Sequence, residues 1–436
     1  MNQIIFLLIS YLLFPNIKIG ILDIKDFFLI IYMAINYKCF LKGFHKYSFI
    51  LTFPSMMVVI SFTIKLLIGY SFNLDDFKEV LRHFSMIIFI FILFGQLSKF
   101  SKDDFYQLIQ KIQKTVIAYL IIISCFAFFQ KYNYSLFEKV IGNFYVLEQI
   151  GTEQVKGLSF TNHALSEALD RVSTIYYTPI VFAYALSLLV IYLIYTYKGD
   201  NSFKYWISII LCLITIVLTN TRAVLIVLML VFPLRYLSKK SLIKLFIFSP
   251  LLIIIGSFLY DEFTSGLNKS NFHRIEEITL YIGSGLDSHF MPDNLALRIN
   301  DIEMIFTKID IWEIMVSGLP ADHFLSIIGM GFHSQYVSFI IKFGIWGIFI
   351  ILWMLYINLK TFSIYRKNFE DKLLSSQMLA MVMIFLAINL ISFSQITLFQ
   401  DRIRFFFFIV LAISFQLYIN KINDRFKIEK GYKVKE

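Results

Sequence analysis

The chain has 436 residues, of which 58% are hydrophobic and only 16% are charged. A soluble globular domain cannot bury so much apolar surface, so the composition predicts an all-α polytopic membrane protein. The net charge of +10 is spread over short loops between apolar segments and does not form one basic face. Nucleic acid is therefore not expected as a partner.

Apolar segments predict about twelve transmembrane helices, since about twenty apolar residues cross a bilayer and packed helices can be shorter. In chain order the predicted spans are residues 3–14, 27–40, 48–69, 83–98, 115–130, 176–197, 204–219, 222–237, 242–260, 335–357, 376–397 and 402–420. Together they form one integral membrane domain over residues 1–436, with a basic tail at 421–436. Cys39, Cys125 and Cys212 fall within these spans and are interpreted as small core hydrophobes.

Loop charge predicts the orientation of the spans. With the amino terminus in the cytoplasm, the inner loops carry 23 Lys and Arg against 8 Asp and Glu, and the outer loops carry 15 against 22. This split follows the positive-inside rule, so both termini are predicted to be cytoplasmic. Two long loops, 131–175 and 261–333, then face outward, and the second is expected to be partly helical. A loop of that length is uncommon unless it has a function, so 261–333 is the first candidate region for chemistry.

Three arginines occupy predicted outer positions. Arg222 follows a short polar turn and opens a helix, where its charge suits the helix dipole poorly unless both face a shared anion. Arg171 lies just before a span, and Arg298 lies in the large loop. Each also has a simpler explanation: Arg222 and Arg171 could reach lipid headgroups, and Arg298 could pair with Asp301 or Glu303.

The end of the large loop carries a histidine, and the following span carries a lysine. His333 follows a Gly-x-Gly turn, and its imidazole could act as an acid or a base at physiological pH, although a lone histidine is more often structural. Lys342 is predicted on the same helix, roughly 12 Å into the membrane, where it needs a cavity, a partner or a path to the surface. Gly344 and Gly347 are interpreted as close-packing positions between helices.

Other polar residues have weaker claims. Arg402 and Arg404, at the start of the last span, are interpreted as anchors at the membrane surface. His163 and His323 are minor candidates. No loop has a metal-binding spacing, and the Gly-x-Gly turn lacks the context of a phosphate-binding loop, so neither a metal nor another cofactor is predicted.

Three segments resemble the superfamily of O-antigen polymerases and O-antigen ligases of the bacterial envelope. Residues 171–185 are similar to its arginine segment before a span, and residues 218–223 to its polar helix start. Residues 329–347 are similar to the stretch after its large outer loop, with Gly-x-Gly, a histidine and Gly-Ile-x-Gly in order. The departures from the family pattern are Thr221 for Ser, Ala223 for Gly and Ser334 for Asn.

The resemblance implies a GT-C-like architecture and a metal-independent glycosyltransferase. Such an enzyme moves glycan from undecaprenyl diphosphate to an acceptor hydroxyl at the outer face of the bacterial cytoplasmic membrane. The implied catalytic residues are His333, Arg222 and Arg298, and the implied diphosphate- or glycan-binding residues are Arg171, Lys342 and Tyr336. The implied partners are an undecaprenyl-diphosphate-linked oligosaccharide, membrane lipids and a chain-length regulator protein.

The resemblance leaves more than one activity open. We favour a polymerase of O-antigen or capsule repeat units, because Ser334 stands where ligases carry the Asn of their His-Asn pair. A ligase would instead transfer the glycan to the lipid A core. A transporter or flippase would predict internal repeats and helices interrupted near the membrane midplane, and no such repeat is visible in the sequence. A non-catalytic scaffold would leave the outer cations unexplained.

Overall fold

A computed structural model describes most of the membrane domain. The described residues are 1–13, 18–19, 22–70, 74–137, 139–140, 174, 179–197, 203–219, 221–234, 311–319, 335–392 and 401–429. Within these ranges the regular secondary structure is helical apart from one short antiparallel pairing of two-residue strands.

The helices, in chain order, are α1 (Asn2–Leu13), α2 (Ile24–Ile35), α3 (Lys46–Ile68), α4 (Leu74–Leu97), α5 (Lys102–Tyr132), α6 (Tyr134–Phe137), α7 (Pro179–Thr196), α8 (Phe203–Leu218), α9 (Arg222–Leu234), α10 (Ile311–Ser317), α11 (Gln335–Phe343), α12 (Ile345–Lys367), α13 (Lys372–Ser392) and α14 (Asp401–Glu429). In the described part of the chain, six helices are long and apolar enough to cross a membrane, namely α3, α4, α5, α12, α13 and α14. The prediction of a helical, multi-pass membrane protein is therefore confirmed.

The first two predicted spans differ from the structure. Helices α1 and α2 have 12 residues each, so each is about 18 Å long, well short of a hydrocarbon layer of about 30 Å. Strands β1 (Lys18–Ile19) and β2 (Leu22–Asp23) pair between them, and α2 starts before the predicted boundary and ends at Ile35. The prediction of two spans in this region, both expected to be short, is therefore not confirmed.

Helices α13 and α14 form the centre of the bundle. Of their most apolar stretches, 83% and 78% of the residues are buried within the protein, against 44% to 56% for the other four long helices. A helix that is apolar on every side belongs inside a bundle, whereas a helix with one lipid-facing side belongs at its periphery. Within this centre Phe385 packs edge-on against Phe407 with ring centroids 4.9 Å apart, and Phe89 of the neighbouring α4 stacks on Phe405 at 4.8 Å.

The chain between α2 and α3 packs directly on the backbone of α4. A side chain at Gly43 would collide with the carbonyl of Phe91, and one at Gly95 would collide with the carbonyl of Cys39. The two glycines therefore allow a reciprocal backbone contact that no larger residue permits. Of the cysteines, Cys39 and Cys212 are buried as predicted, whereas Cys125 is exposed on α5, so its prediction as a core residue is wrong.

The predicted span 335–357 is broken at Gly344. This residue has φ of 61°, a conformation that L-residues with side chains rarely adopt, and it separates α11 from α12. Helix α12 alone has 23 residues, about 35 Å, which is enough to cross the bilayer. Lys342 therefore lies on the short helix α11, before the break, and not on the 23-residue helix α12. The predicted close packing at Gly347 is confirmed, because a side chain there would collide with the carbonyl of Phe339 on α11.

Candidate functional site

Half of the site residues predicted from the sequence lie outside the described residues. These are His333, Arg298 and Arg171. Arg222 is the first residue of α9, as the polar turn before it predicted, and its backbone alone is described. Their proposed roles stay predictions.

Tyr336 is described and contributes to packing. Its hydroxyl donates to Asn389, whose carbonyl oxygen lies at 3.2 Å and whose side-chain oxygen Oδ1 lies at 3.1 Å. The half-buried ring thus ties α11 to the end of α13. The hydroxyl is already engaged within the protein, so a role for Tyr336 in holding this end of α11 fits the structure better than direct sugar binding.

Lys342 takes part in a contact that the sequence did not reveal, which we call the lysine clasp. It consists of Ser61 and Lys65 on α3, the segment 317–319 at the end of α10, and the backbone of Lys342 on α11. The Lys65 ammonium donates to the carbonyl oxygen of Leu319 at 3.2 Å and to that of Lys342. The Ser61 hydroxyl donates to the carbonyl oxygen of Ser317 at 2.8 Å.

The clasp depends on a glycine at its centre. Gly318 has φ of 71°, and a side chain there would collide with the carbonyl group of Lys342. The N–H of Leu319 donates to the carbonyl of Ile341 at 2.7 Å, which adds a direct link to α11. The end of α10 is therefore hydrogen-bonded to α3 and α11 through backbone carbonyls and the buried Lys65. In the sequence, Lys65 is distinguished only as a lysine within the predicted span 48–69.

A second constellation, the arginine cleft, lies between α1, α2, α4 and α14. Its polar members are Tyr11, Asp26, Arg82, His83 and Arg404. The Tyr11 hydroxyl donates to Asp26 Oδ1 at 3.2 Å, and the Arg82 guanidinium Nε lies 3.8 Å from Asp26 Oδ2. These contacts pair one carboxylate with one phenol and one guanidinium.

Arg404 occupies the other side of the arginine cleft. Its Nη1 lies 3.3 Å from Nε2 of His83, and Nδ1 of His83 lies 3.1 Å from the hydroxyl of Ser55. Because a guanidinium can only donate, His83 accepts through Nε2 and carries its proton on Nδ1. In this arrangement the imidazole accepts from the guanidinium and orients it.

The interpretation of Arg404 as a surface anchor is wrong. Only 6% of the residue is exposed, and it points into the protein beside His83, which is completely buried. Two signals could have identified this site from the sequence: charged residues recur near the same ends of α2, α4 and α14, and a histidine stands within an apolar helix. Neither signal shows by itself that the residues meet.

The arginine cleft encloses a small cavity of about 30 Å³. Its walls combine the charged groups Asp26, Arg82 and Arg404 with aromatic and aliphatic side chains. The uncharged lining residues are Tyr11, Leu29, Ile30, Leu81, Ser85, Met86 and Phe405. Tyr11 and Phe405 stack with ring centroids 3.9 Å apart, which closes one side of the cavity.

The opposite end of the bundle carries cations of a different kind, and we call it the lysine end. Lys38, Lys42, Lys46 and Lys99 are exposed there. Tyr47, at the start of α3, stacks on Phe415 with ring centroids 4.9 Å apart. Phe415 lies well beyond the start of α14, so the lysine end is far from that start. Arg404, near the start of α14, therefore lies toward the opposite end of the bundle. The named cations at the lysine end are therefore exposed, whereas Arg404, toward the opposite end, is buried.

No protein-family model matches the chain, and no curated protein matches it. Its function is therefore inferred from its own side chains and motifs.

Proposed function

We propose that the protein polymerises lipid-linked polysaccharide repeat units. In this reaction it transfers glycan from undecaprenyl diphosphate to an acceptor sugar hydroxyl at the outer face of a bacterial cytoplasmic membrane. The proposal includes the full complement of about twelve spans, a GT-C-like architecture and cytoplasmic termini. It also includes a chain-length regulator protein as a partner.

The observation that carries the proposal is the burial of cations at the end of the bundle opposite the lysine end. Lys25, Lys65 and Arg404 are only 1%, 6% and 6% exposed. A buried cation in a membrane protein is costly and usually marks a functional path or site. Loop charge assigns this end to the outside, where the positive-inside rule gives no reason for cations. An anionic substrate on that side supplies the reason.

The chemistry needs cations at the outer face because the leaving group is a lipid diphosphate. The acceptor hydroxyl oxygen forms a bond to the anomeric carbon as the bond from that carbon to the phosphate oxygen breaks. The bonding electrons leave with the diphosphate, and the hydroxyl proton passes to a base. We assign Arg222 and Arg298 to the developing negative charge, Arg171 to binding of the diphosphate, and His333 to the proton.

Two of the proposed roles take the neighbouring contacts into account. Lys342 lies before its span, beside the lysine clasp, so we assign its ammonium to the edge of the substrate site. Tyr336 is assigned to positioning α11, because its hydroxyl is bonded to Asn389.

The break at Gly344 bears on the transporter alternative. A transporter of the discontinuous-helix type places such breaks near the membrane midplane, next to the bound substrate. Here the 23 residues of α12 follow the break, so it lies at the end of a full span. This position favours an enzyme whose site is at the membrane surface.

The test is a deletion strain complemented with Arg222→Ala, Arg298→Ala or His333→Ala. Loss of one group that stabilises transition-state charge lowers turnover by about 100-fold or more, so we expect the two arginine variants to lose long-chain surface glycan on a gel. Arg366→Ala is the matched control, because Arg366 is exposed near the end of α12. Normal glycan from both Arg222→Ala and Arg298→Ala would overturn the proposal. A fully active His333→Ala would remove only the acid–base role.

The same strains separate a polymerase from a ligase. Loss of a polymerase leaves the surface acceptor carrying at most a single repeat unit. Loss of a ligase leaves the acceptor bare while lipid-linked polymer accumulates in the membrane. The second pattern would move the assignment to a ligase.

A further inference from the structure

We infer that the connector between α2 and α3 binds the headgroup of an anionic phospholipid. We call residues 37–46 the basic connector; they lie at the lysine end and include Lys38, Lys42 and Lys46. The inference is independent of the proposed function, because none of the catalytic or substrate-binding residues named above belongs to this segment.

The basic connector has a fixed backbone. It is wound into two short turns of 3-10 helix, Tyr37–Cys39 and Leu41–Gly43, and a side chain at Gly43 would collide with the backbone of α4. At its far end the N–H of His45 donates to the hydroxyl of Ser48 at 3.0 Å, and that hydroxyl donates to the carbonyl oxygen of Gly43 at 2.7 Å. Side chains on a fixed backbone lose less conformational freedom when a ligand binds.

The basic connector exposes apolar side chains as well as lysines. Tyr37, Leu41 and Phe44 are 63%, 78% and 46% exposed. Phe44 stacks on Phe91 with ring centroids 4.5 Å apart, and Phe49, which is also exposed, packs beside both rings. An exposed apolar patch of this kind marks an interaction surface, and next to a membrane-spanning helix it suits the acyl chains below a lipid headgroup.

The lysines of the basic connector have no acidic partner. In the part of the chain that the structure describes, no carboxylate forms an ion pair with Lys38, Lys42 or Lys46. Lys99 on α4 adds a fourth cation, because its ammonium lies 3.3 Å from the sulfur of Cys39 in the connector. Each lysine close to an anionic membrane surface strengthens binding by about fivefold. A phosphate headgroup therefore has several cations to contact here.

The combination of cations and exposed apolar groups favours a phospholipid over a soluble ligand. The positive-inside rule accounts for lysines at this end, but it does not account for the apolar side chains exposed between them. Helix α3 is long and apolar enough to cross the membrane and begins at Lys46, so the connector lies at the level of the headgroups. There the lysine stems can lie along acyl chains while their ammonium groups reach phosphate. A nucleic acid or an acidic protein would use the lysines and leave Leu41 in water.

The experiment measures the binding of fluorescent phosphatidylglycerol to the purified full chain in a neutral detergent. The test variant combines Lys38→Gln, Lys42→Gln and Lys46→Gln, and we expect it to bind at least roughly tenfold more weakly, because three cations beside the headgroup are lost. Leu41→Gln keeps every lysine and should weaken binding by roughly threefold, because an apolar contact with the lipid is lost.

A control variant removes the same amount of charge elsewhere. It combines Lys102→Gln, Lys204→Gln and Lys367→Gln, at exposed positions of α5, α8 and α12 in or next to other loops predicted to be cytoplasmic. We expect it to bind like the unaltered protein. Helical circular dichroism of each variant verifies that the fold is kept.

The outcomes separate the inference from its alternatives. Unchanged binding by the test variant would overturn it, and so would equal weakening of the test and control variants, because binding would then follow the total charge of this end. Phosphatidylcholine that competes as well as unlabelled phosphatidylglycerol would overturn the recognition of a negative headgroup. Glycerol phosphate or an acidic peptide that competes as well as the lipid would overturn the lipid assignment. Weakening confined to the test variant and Leu41→Gln would support the site.

Discussion

The two ends of the helical bundle place positively charged side chains in different environments. At the lysine end, Lys38, Lys42 and Lys46 extend into solvent around the starts and ends of helices. At the other end, Lys65 is held by backbone carbonyls, and Arg404 lies against a buried histidine. Both ends contain cations, but among the residues that the structure describes only the end opposite the lysine end keeps such groups away from water.

This difference separates charge that sets topology from charge that does chemistry. Exposed lysines cost little and need no defined geometry, which is sufficient for orienting a protein in a membrane. A buried guanidinium loses its hydration and must be compensated by the protein or by a ligand. Burial, rather than the number of cations, therefore marks the end of this bundle where function is expected.

The largest expected effect is an all-or-none difference in accessibility between the two ends. In a chain whose cysteines are replaced by alanine, Lys46→Cys and Phe77→Cys each place a thiol at an exposed position, at opposite ends of the helix pair α3 and α4. We expect a membrane-impermeant maleimide to label Phe77→Cys in intact spheroplasts and Lys46→Cys only after permeabilisation. The reverse pattern would exchange the two ends and refute an extracytoplasmic site.

The next largest effect concerns packing at the lysine end. Gly95→Ala puts a methyl group against the carbonyl of Cys39, and two backbones must separate to admit it. We expect a loss of about 3 kcal/mol in the free energy of unfolding, measured by circular dichroism during detergent denaturation. Phe84→Ala, at an exposed position on the same helix, should change it far less. Equal stability of the two variants would contradict the close backbone contact.

A matched pair of lysines on α3 compares the two ends directly. Lys65→Met removes the donor shared by the carbonyls of Leu319 and Lys342, and we expect a loss of about 2 kcal/mol in stability. Lys46→Met removes an exposed charge from the other end of the helix and should change stability by less than about 0.5 kcal/mol. The same denaturation measurement applies to both, and similar losses would mean that burial does not distinguish the ends.

His45 at the start of α3 gives a smaller, pH-dependent effect. Its Nδ1 accepts the N–H of Tyr47 at 3.3 Å, and partial burial lowers the pKa of its imidazole below the ordinary value of 6.5. The folded state therefore binds fewer protons than the unfolded state, so stability is full above pH 6.5 and falls as the pH drops through 6.5 toward the lower folded pKa. We expect a change of at most about 1 kcal/mol, the usual contribution of a helix cap, because the His45 side chain is exposed and water screens it. His45→Asn should keep the cap and lose this pH dependence.

The smallest effect is expected at Asp371, also at the lysine end. Burial would raise the pKa of its carboxyl, but the N–H of Leu374 at 3.2 Å and the Lys421 ammonium at 3.3 Å lower it below 3.8. Its contribution is thus present above pH 3.8 and lost as the pH falls through the lowered value. Asp371→Asn should cost less than about 1 kcal/mol at neutral pH and nothing at low pH. A larger loss at neutral pH would show that this end also depends on a strong ion pair.

The sequence predicted much of the helical framework and little of the site. Helices α3, α5 and α13 begin and end within a few residues of apolar runs that any hydropathy reading finds, except where amphipathic turns extend them, as at Lys102. The helix start at Arg222 followed from its polar turn. Arg404, in contrast, was predicted to lie at the membrane surface, whereas it is buried. The sequence could not show this, because its neighbours His83 and Asp26 are hundreds of residues away in the chain.

The break before α12 shows why local patterns mislead. Residues 335–357 form one apolar run, so periodicity predicts one helix. The structure bends the chain at Gly344, and α11 packs against α3 and α10. The carbonyl of Lys342 then becomes available to Lys65, and this contact is visible only after three separate segments have met.

Hydropathy and loop charge by themselves determined that this chain is a helical membrane protein and predicted which end faces outward. Both follow from the transfer of individual segments between water and lipid, which depends on local composition. Only the tertiary structure decided that Lys65 fastens the α10 segment and that Arg404, His83, Arg82 and Asp26 share one cleft. Those contacts join distant segments through the shapes of packed helix faces, and composition carries no record of which faces meet.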